Sequence, residues 1–299
     1  MSTYRIGLDI GSTTAKMVVL NPNGEKIVFD AYLRHQTKVK ECLSGFLQQL
    51  RDKLGDVSLS VSITGSVGMG VAERYSIPFV QEVVAASRYL EMNSRNVATM
   101  IDIGGEDAKM VFLAHGQTTD LRMNGNCAGG TGAFIDQMAI LLGVSPSELG
   151  VLAEKATQIY PIASRCGVFC KTDIQNLIAR NVAKEDIAAS IFHAVAVQTI
   201  VTLAHGHDIT TPILFCGGPL TFIPALRRAF ADYLQLPPES FILPEKANLI
   251  PAWGAALSAD SYTITVSDFI RLLDTSCPSS QGMEGKTHLE PIFNSATDY

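Results

Sequence analysis

The apolar positions of the chain divide it into two halves that begin with the same order of elements. In the first half they predict a β-hairpin over residues 8–20, a strand over 27–33, a helix over 38–54, a strand over 59–64 and a helix over 82–92. The strand pattern starts again near residue 97. Strands that alternate with amphipathic helices in this way predict an α/β protein.

A thirteen-residue phrase occurs in both halves, at residues 8–20 and 101–113, with eight identical positions and no gap. Each copy predicts a strand that ends in Asp, a turn of Gly and small polar residues, and a returning strand that carries Lys. One such turn usually only reverses the chain. The repetition of both the Asp and the Lys indicates an internal duplication instead. Two such turns facing each other would clasp a polyphosphate through their backbone amides.

The second half contains elements that the first half lacks. Helical patterns cover residues 131–142, 167–180 and 184–205. A buried strand over 213–216 then leads into a glycine pair, where a flat ligand could approach the backbone closely. A closing helix over 248–259 carries small residues that permit tight packing between lobes.

These patterns predict the division of the chain into lobes. Residues 1–95 form the first lobe, and the closing helix at about 248–260 packs back near it. Residues 96–247 form a second, enlarged lobe. The apolar pattern decays after Asp260, so residues 261–299 are expected to be a linker or a C-terminal extension.

The composition and the apolar pattern limit the binding partners and the cellular compartment that we expect for this chain. The net charge is −6, which offers no basic face for nucleic acid or anionic lipid. The apolar stretch over 187–204 contains polar residues, which favours a buried helix over a membrane span, and the N-terminus lacks the pattern of a signal peptide. The six cysteines are therefore expected to be reduced thiols or metal ligands, and we expect a cytoplasmic protein.

The two Asp-Gly hairpins, the Phe215–Pro219 turn and the small residues at 254–256 together resemble the sugar kinase, actin and heat-shock ATPase superfamily. The resemblance covers residues 4–260 and implies two ribonuclease-H-like lobes with ATP in the cleft between them. It implies that ATP or ADP contacts residues of the first hairpin, of the second hairpin and of the later glycine turn. These residues are Gly11, Ser12, Thr13, Thr14, Lys16, Gly104, Gly105, Asp107, Gly217, Gly218 and Pro219.

Within that superfamily, residues 124–132 and 164–169 resemble the activator ATPases of 2-hydroxyacyl-CoA dehydratases and the ATPase subunits of benzoyl-CoA reductases. This resemblance implies that Cys127 and Cys166 bind iron, and that two identical subunits share one [4Fe-4S] cluster. Two cysteines per chain supply the four thiolates of a cubane only in a dimer. Cys170 would share a helix face with Cys166, as a neighbouring thiol or an alternate ligand. The other three cysteines, Cys42, Cys216 and Cys277, are expected to be small buried residues.

The resemblance also implies catalytic roles. Asp9 and Asp102 would hold Mg²⁺ through water, and the turn amides at 11–13 and 104–106 would hold the β- and γ-phosphates. Glu106 stands where the activators commonly have Gln, and it would orient the attacking water. Lys16 would either add positive charge or face solvent.

The expected activity is ATP hydrolysis that drives a low-potential electron from a ferredoxin- or flavodoxin-like donor to a dehydratase or a related CoA-ester reductase. Two alternatives remain open at this stage. A small-metabolite kinase of the same fold would use polar pocket residues such as His193, Asp173 and Asp208, and a regulatory module would bind nucleotide without turnover. Residues 65–68 lack the aromatic and basic residues expected of the shorter activators. Together with the segment that begins at Cys127, they resemble larger fused members of the family, in which the tail after Asp260 would be an inter-module linker.

Overall fold

The structure is a computed structural model that describes residues 2–114, 117–124, 128–163 and 167–275. Two five-stranded mixed sheets organise it, one in each lobe. The first sheet has the order β10-β4-β1-β2-β3, with strands β1 (Thr3–Ile10), β2 (Thr14–Leu20), β3 (Ile27–Arg34), β4 (Ser58–Thr64) and β10 (Thr263–Thr265). The second has the order β7-β6-β5-β8-β9, with strands β5 (Thr99–Ile103), β6 (Ala108–Ala114), β7 (Gln117–Asn124), β8 (Ile213–Cys216) and β9 (Phe241–Ile242).

The two sheets repeat the same pairing. β1 runs antiparallel to β2 and parallel to β4, and β5 runs antiparallel to β6 and parallel to β8. The register is also the same, since Asp9 lies opposite Lys16 and Asp102 lies opposite Lys109. The predicted α/β architecture of two similar lobes is therefore confirmed, and the repeated phrase forms the same hairpin in both.

Helices cover the sheets. Around the first sheet lie α1 (Val39–Leu54), α2 (Gly68–Tyr75), α10 (Ile250–Leu257) and α11 (Val266–Asp274). Helix α3 (Glu82–Asn93) packs between α10 and the second sheet. The second lobe contains α4 (Gly132–Leu142), α5 (Pro146–Ala153), α6 (Gly167–Ala179), α7 (Lys184–Ala204), α8 (Gly218–Phe222) and α9 (Pro224–Leu234). Each sheet packs its apolar face against these helices, so each lobe has a core of its own.

Helix α7 is the centre of the second core. Among the described helices it is the one that is long and apolar enough to cross a membrane, but 72% of its apolar window is buried inside the protein. Ile191 and Phe192 are almost completely buried. This burial is the pattern of a core helix, as the interrupting polar residues predicted.

The prediction of a linker after Asp260 is wrong for residues 263–274. β10 pairs antiparallel with β4, and α11 packs its apolar side against α1. Phe269 is fully buried there, and the Thr265 side chain caps α11 by accepting a hydrogen bond from the backbone N–H of Asp268. This short amphipathic segment therefore completes the first lobe, because α1 would otherwise leave part of its apolar face uncovered. Residues 276–299 lie outside the described part of the chain.

Candidate functional site

The turns of the two repeated hairpins face each other across the cleft between the lobes. A Cβ placed on Gly105 would lie 2.5 Å from Thr13 Oγ1, so the two turns are in contact there. A cavity of about 500 Å³ opens beside them and is lined by residues of both turns. The duplicated phrase therefore supplies both walls of one site.

Both turns contain the same internal hydrogen bond, and this bond determines which backbone N–H groups are free to bind an anion. Gly11 N donates to Thr14 O at 3.0 Å, and Gly104 N donates to Asp107 O at 2.9 Å. These two amides are thus occupied within the turns, contrary to the expectation that they hold phosphate. The next amides, of Ser12, Thr13, Gly105 and Glu106, make no backbone hydrogen bond among the described residues. They are the donors that remain for an anion.

Different elements support the two turns from behind. His35, buried at the end of β3, donates from Nε2 to Gly11 O at 3.0 Å while its Nδ1 accepts from the backbone N–H of Thr37. The second turn is supported by the first residues of α4, since Gly132 N donates to Gly104 O and Ala133 N to Gly105 O. The second turn is thus hydrogen-bonded to the helix that follows the Cys127 segment.

Asp9 and Lys16 form a buried ion pair in the first hairpin, with 2.6 Å between Nζ and Oδ2. The alternative of a solvent-facing Lys16 is therefore wrong. The partner carboxylate holds the pKa of Lys16 above its usual range despite the cost of burial. Asp9 Oδ1 is buried without a hydrogen-bond partner in the described residues. A buried carboxylate oxygen of this kind normally has a ligand or a water, because leaving it unpaired is costly.

The second hairpin pairs its charges differently. Lys109 Nζ lies 2.6 Å from Asp107 and 3.1 Å from Glu82, and it is almost completely buried. Asp102 takes part in no ion pair among the described residues, and burial raises its pKa. Burial and the nearby Asp9 raise the pKa of Glu82 to about 7. Sequence reasoning missed Glu82 and gave no role to Lys109, although the repeat contained the signal for Lys109.

Two glycines with positive φ occupy equivalent places after the parallel strands β4 and β8. Gly65 has φ +97° and Gly217 has φ +86°. A Cβ on Gly65 would lie 2.4 Å from Ile10 O, and one on Gly217 would lie 2.1 Å from Ile103 O. Gly65 after β4 is therefore the counterpart, in the first lobe, of Gly217 after β8.

A second cavity of about 330 Å³ lies between the end of β3 in the first lobe and the second lobe. Gly218 and Pro219 line it, as does the start of α4. The ion pair between Arg34 and Asp136, at 2.7 Å, joins the two lobes at this cavity. Gly217 does not line it and instead lies against Asp102.

Some of the other residues that the sequence assigned to the site line the larger cavity, and others lie elsewhere. Glu106 is exposed and lines the larger cavity, together with Ser12, Thr14 and Asp107. Asp102 lines neither cavity and is nearly fully buried. Of the kinase candidates, His193 lines a separate cavity between α5, α7 and α9, Asp173 accepts a hydrogen bond from Ala163 N, and Asp208 is exposed.

The cluster cysteines Cys127 and Cys166 lie outside the described residues, as does Cys277. The flanking residues come close together, since a Cβ on Gly167 would lie 3.9 Å from Gly129 N. Cys170 is buried and its thiol donates to Ala163 O, while Cys42 and Cys216 are buried thiols. No group of three or more His, Cys, Asp or Glu side chains suited to a metal ion occurs in the described ranges.

Comparison with known proteins agrees with this geometry. The chain is 32% identical over 221 residues to the (R)-2-hydroxyglutaryl-CoA dehydratase activating ATPase of Acidaminococcus fermentans, which covers 73% of this chain and 84% of that protein. The structure of component A of that dehydratase matches with a TM-score of 0.76 and 29% identity, over 86% of this chain and 98% of the other. The activator of the 2-hydroxyisocaproyl-CoA dehydratase of Clostridium difficile, solved with bound ADPNP, matches with a TM-score of 0.72 and 31% identity, over 86% and 94%.

A model of the BadF/BadG/BcrA/BcrD ATPase family matches residues 6–259, which is most of the chain and includes both hairpins and the glycine turn after β8. The fold is shared with the two activator structures. The chain therefore belongs to the BadF/BadG/BcrA/BcrD ATPase family.

Proposed function

We propose that this chain hydrolyses ATP to deliver a low-potential electron, as a homodimer with one [4Fe-4S] cluster, to a 2-hydroxyacyl-CoA dehydratase or a related CoA-ester reductase. The observation that carries the ATPase part is the pair of equivalent turns with free amides facing each other across one cleft. Membership of an ATPase family supports it, as does the ADPNP bound to the C. difficile relative.

The residues of the cleft fit a magnesium nucleotide. The amides of Ser12, Thr13, Gly105 and Glu106 are available for phosphate oxygens. The unpaired Asp9 Oδ1 would hold a water of Mg²⁺, which keeps much of its hydration when it bridges phosphates. Asp102 would act in the same way from the second lobe, and the two buried lysines would add positive charge beside the phosphates.

The smaller cavity fits the nucleoside. It lies beside the second phosphate turn, because the Cβ position of Gly132 is 3.1 Å from Gly104 O and 3.2 Å from Pro219 Cγ. Gly218 and Pro219 offer a flat backbone surface without long side chains. Glu106, exposed in the larger cavity, would orient the attacking water.

The positions of the residues that follow Cys127 and Cys166 support the proposed [4Fe-4S] cluster. Gly129 and Gly167 lie against each other, and each follows closely after one of the two cysteines. The helices α4 and α6 begin just beyond them, and the partial positive charge of a helix N-terminus favours a thiolate. When bound, the cluster would supply the electron that is passed on. Cys127 and Cys166 would hold it, with the same two residues of a second subunit.

Two exposed apolar side chains next to Cys166 support a homodimer. Val168 is 72% exposed and Phe169 is 66% exposed, at the first turn of α6. Large apolar side chains that remain this exposed in adjacent positions are typical of interaction surfaces. A two-fold interface there would bring both pairs of cysteines together.

The cleft disfavours the kinase alternative. Beyond the two turns, five apolar side chains line the larger cavity beside three polar ones, Ser66, Gln81 and Glu82; the apolar ones are Met69, Phe79, Val83, Leu121 and Met123. A polyhydroxylated acceptor needs several hydrogen-bonding partners at this place. The polar residues suggested for an acceptor lie elsewhere, with His193 in a different cavity.

Anaerobic purification tests the proposal. We expect about four irons per dimer, an electron paramagnetic resonance signal after reduction, and release of phosphate from ATP that needs Mg²⁺. Cys127→Ser and Cys166→Ser should each lose the iron, whereas Cys42→Ala, a buried thiol in the first lobe, should retain it. Iron-free protein that still hydrolyses ATP would contradict the cluster, and ATP binding without phosphate release would favour the regulatory module.

A further inference from the structure

Two buried oxygen atoms of the first sheet lie close together without a hydrogen-bond partner among the described residues. One is Asp9 Oδ1, near the end of β1, and the other is the hydroxyl of Thr64, the last residue of β4. Asp9 and Thr64 are paired in the parallel register of β1 and β4, so their side chains lie on the same face of the sheet, with the two strands about 5 Å apart. Thr64 is fully buried, and Asp9 is nearly so.

Each of these two atoms needs a partner, because a buried carboxylate or hydroxyl oxygen without one is costly. The other oxygen of the carboxylate, Asp9 Oδ2, is held by Lys16 at 2.6 Å. Oδ1 and the Thr64 hydroxyl do not bond to each other. Polar groups that lie close together without a direct hydrogen bond are commonly bridged by water. The pair therefore has the chemistry of a site for one water molecule.

The backbone leaves room for that molecule beside Asp9 Oδ1. The residue directly after Thr64 is Gly65, and a Cβ there would lie 2.6 Å from Asp9 Oδ1. Because glycine has no Cβ, this space stays open. Two residues earlier in β1 the sheet is tightly covered, since a Cβ on Gly7 would lie only 2.0 Å from Ala252 O of α10. A water can thus fit beside Asp9 but not beside Gly7.

The second lobe lacks this pair of groups. Its register places Cys216 of β8 beside Asp102, as Thr64 lies beside Asp9. The Cys216 thiol already donates to Ala247 O at 3.4 Å, and a thiol is only a weak donor. The first lobe therefore offers a free hydroxyl beside its Asp, where the second lobe offers an engaged thiol.

We propose that the Thr64 hydroxyl and Asp9 Oδ1 hold one buried water molecule between them, and that Thr64 is thereby a positioning residue for the Asp9 carboxylate. The water accepts a hydrogen bond from the hydroxyl and donates one to Oδ1, while Lys16 holds Oδ2. A carboxylate oxygen accepts about two hydrogen bonds, so Oδ1 keeps a lone pair for the hydrated metal ion.

The positioning role rests on the proposed function, because it takes Asp9 as a carboxylate that receives hydrated Mg²⁺. Asp9 lines the larger cavity, whereas Thr64 is fully buried and does not line it. Thr64 therefore acts through Asp9 and touches neither nucleotide nor metal.

A crystal structure of the nucleotide-free homodimer tests the water directly. We expect one water within hydrogen-bonding distance of both Asp9 Oδ1 and Thr64 Oγ1. Thr64→Val has nearly the same shape without the hydroxyl and should lack this water, and Thr64→Ser should keep it. A direct bond between the hydroxyl and Oδ1, or a water that persists in Thr64→Val, would overturn the inference.

Calorimetric titration of the holo homodimer with ADP tests the positioning role without turnover. The readout is the factor by which Mg²⁺ strengthens ADP binding relative to binding in EDTA. We expect Thr64→Val to reduce this factor about tenfold, as is typical when a hydrogen-bond partner of a metal-binding carboxylate is removed. The ADP affinity in EDTA should stay at the wild-type value. Thr64→Ser should recover most of the factor.

Ser62→Ala is the matched control. Ser62 lies on the same face of β4, and its buried hydroxyl also has no partner among the described residues, but it lies beside Gly7 instead of a carboxylate. We expect this variant to match the wild type in the magnesium factor. Thermal unfolding shows whether each variant is folded at the temperature of the titration.

The outcomes separate this inference from the proposed function. An unchanged magnesium factor in Thr64→Val, or equal losses in Thr64→Val and Ser62→Ala, would overturn the positioning role while leaving the proposed ATP hydrolysis intact. A wild-type homodimer whose ADP affinity does not depend on Mg²⁺ would contradict the magnesium nucleotide of the proposed function, and the role of Thr64 with it. The nucleotide-free crystal structure would still decide whether the bridging water exists.

Discussion

At the scale of single residues, the site depends on glycines as much as on charged side chains. Gly65 and Gly217 adopt left-handed backbone and press against the carbonyls of Ile10 and Ile103 at the ends of β1 and β5. Each also lies against the carboxylate of the Asp that precedes the last residue of the neighbouring strand. These glycines allow the chain to leave the parallel strand while staying close to the hairpin turn.

We therefore expect Gly65→Ala and Gly217→Ala to destabilise the protein by more than about 1 kcal/mol each. A Cβ would collide with backbone oxygen at 2.4 and 2.1 Å, and the backbone would have to shift. Urea unfolding of both variants measures the loss. Gly70→Ala is the matched control, since a Cβ there meets nothing within 4 Å and the residue is helical; a similar loss in that variant would contradict the explanation.

A second residue-scale prediction concerns the pH dependence of stability. The pKa of Glu82 is raised from 4.5 to about 7 by burial and neighbouring carboxylates, so the folded protein binds this proton more tightly than the unfolded chain. Its stabilising contribution is full below pH 4.5 and is lost as the pH rises through 7. Between pH 5 and 8, the free energy of unfolding of the wild type should fall by up to about 3 kcal/mol relative to that of Glu82→Gln.

Urea unfolding of both proteins across that pH range measures the difference. A parallel pH dependence in the two proteins would contradict the raised pKa. The comparison uses the nucleotide-free protein, because bound cations would change the charge around Glu82.

At the scale of elements, α11 is the segment whose role the sequence pattern understated. Val266, Phe269 and Leu273 are spaced along one side of the helix and are almost completely buried against the first core. The backbone N–H of Ser267 also donates to Asp56 at 2.8 Å, which ties the helix to the loop after α1. A helix this short depends on such tertiary packing for its stability.

Phe269→Ala should therefore destabilise the protein by about 3–5 kcal/mol, the usual cost of a deleted core aromatic ring. Thermal and urea unfolding give the measurement. Arg271→Ala, at an exposed position on the same helix, should change stability by less than about 0.5 kcal/mol. A small effect of Phe269→Ala would mean that α11 is not an integral part of the first lobe.

At the scale of the whole molecule, the lobes are joined by contacts at the smaller cavity. Arg34 at the end of β3 pairs with Asp136 of α4, and Tyr32 packs edge-on against Phe222 with 5.5 Å between ring centroids. α4 also supports the turn of the second hairpin. A change in the separation of the lobes would therefore act directly on α4, the helix that follows the Cys127 segment.

On the proposed function, Asp136→Asn should speed the release of a fluorescent ADP analogue about two- to fivefold, since an exposed ion pair contributes up to about 1 kcal/mol. High salt screens the Arg34–Asp136 ion pair, so it should bring the release rate of the wild type closer to that of the variant. Stopped-flow displacement measures both rates. Arg88→Gln, which breaks an exposed pair within α3, should release the analogue at the wild-type rate, and an unchanged rate in Asp136→Asn would exclude a closing role for the pair.

Much of the fold and part of the site could be predicted from the sequence because they depend on local patterns. The hairpins follow from alternating apolar runs around Gly turns, and α1 and α7 follow from their periodicity. The helix α5 was missed although Ser145 and Glu148 form a capping box before it, which is a recognisable signal.

The sequence by itself determined the duplication, the α/β class and the turns that face the cleft, since each is encoded within a few consecutive residues. Only the tertiary structure decided which charges pair, that α4 supports the second turn, and that residues 263–274 complete the first lobe. These contacts join residues far apart in the chain, and no local pattern specifies them. The packing of α3 against α10 places Glu82 beside Lys109, and the two copies of one phrase thereby become chemically different.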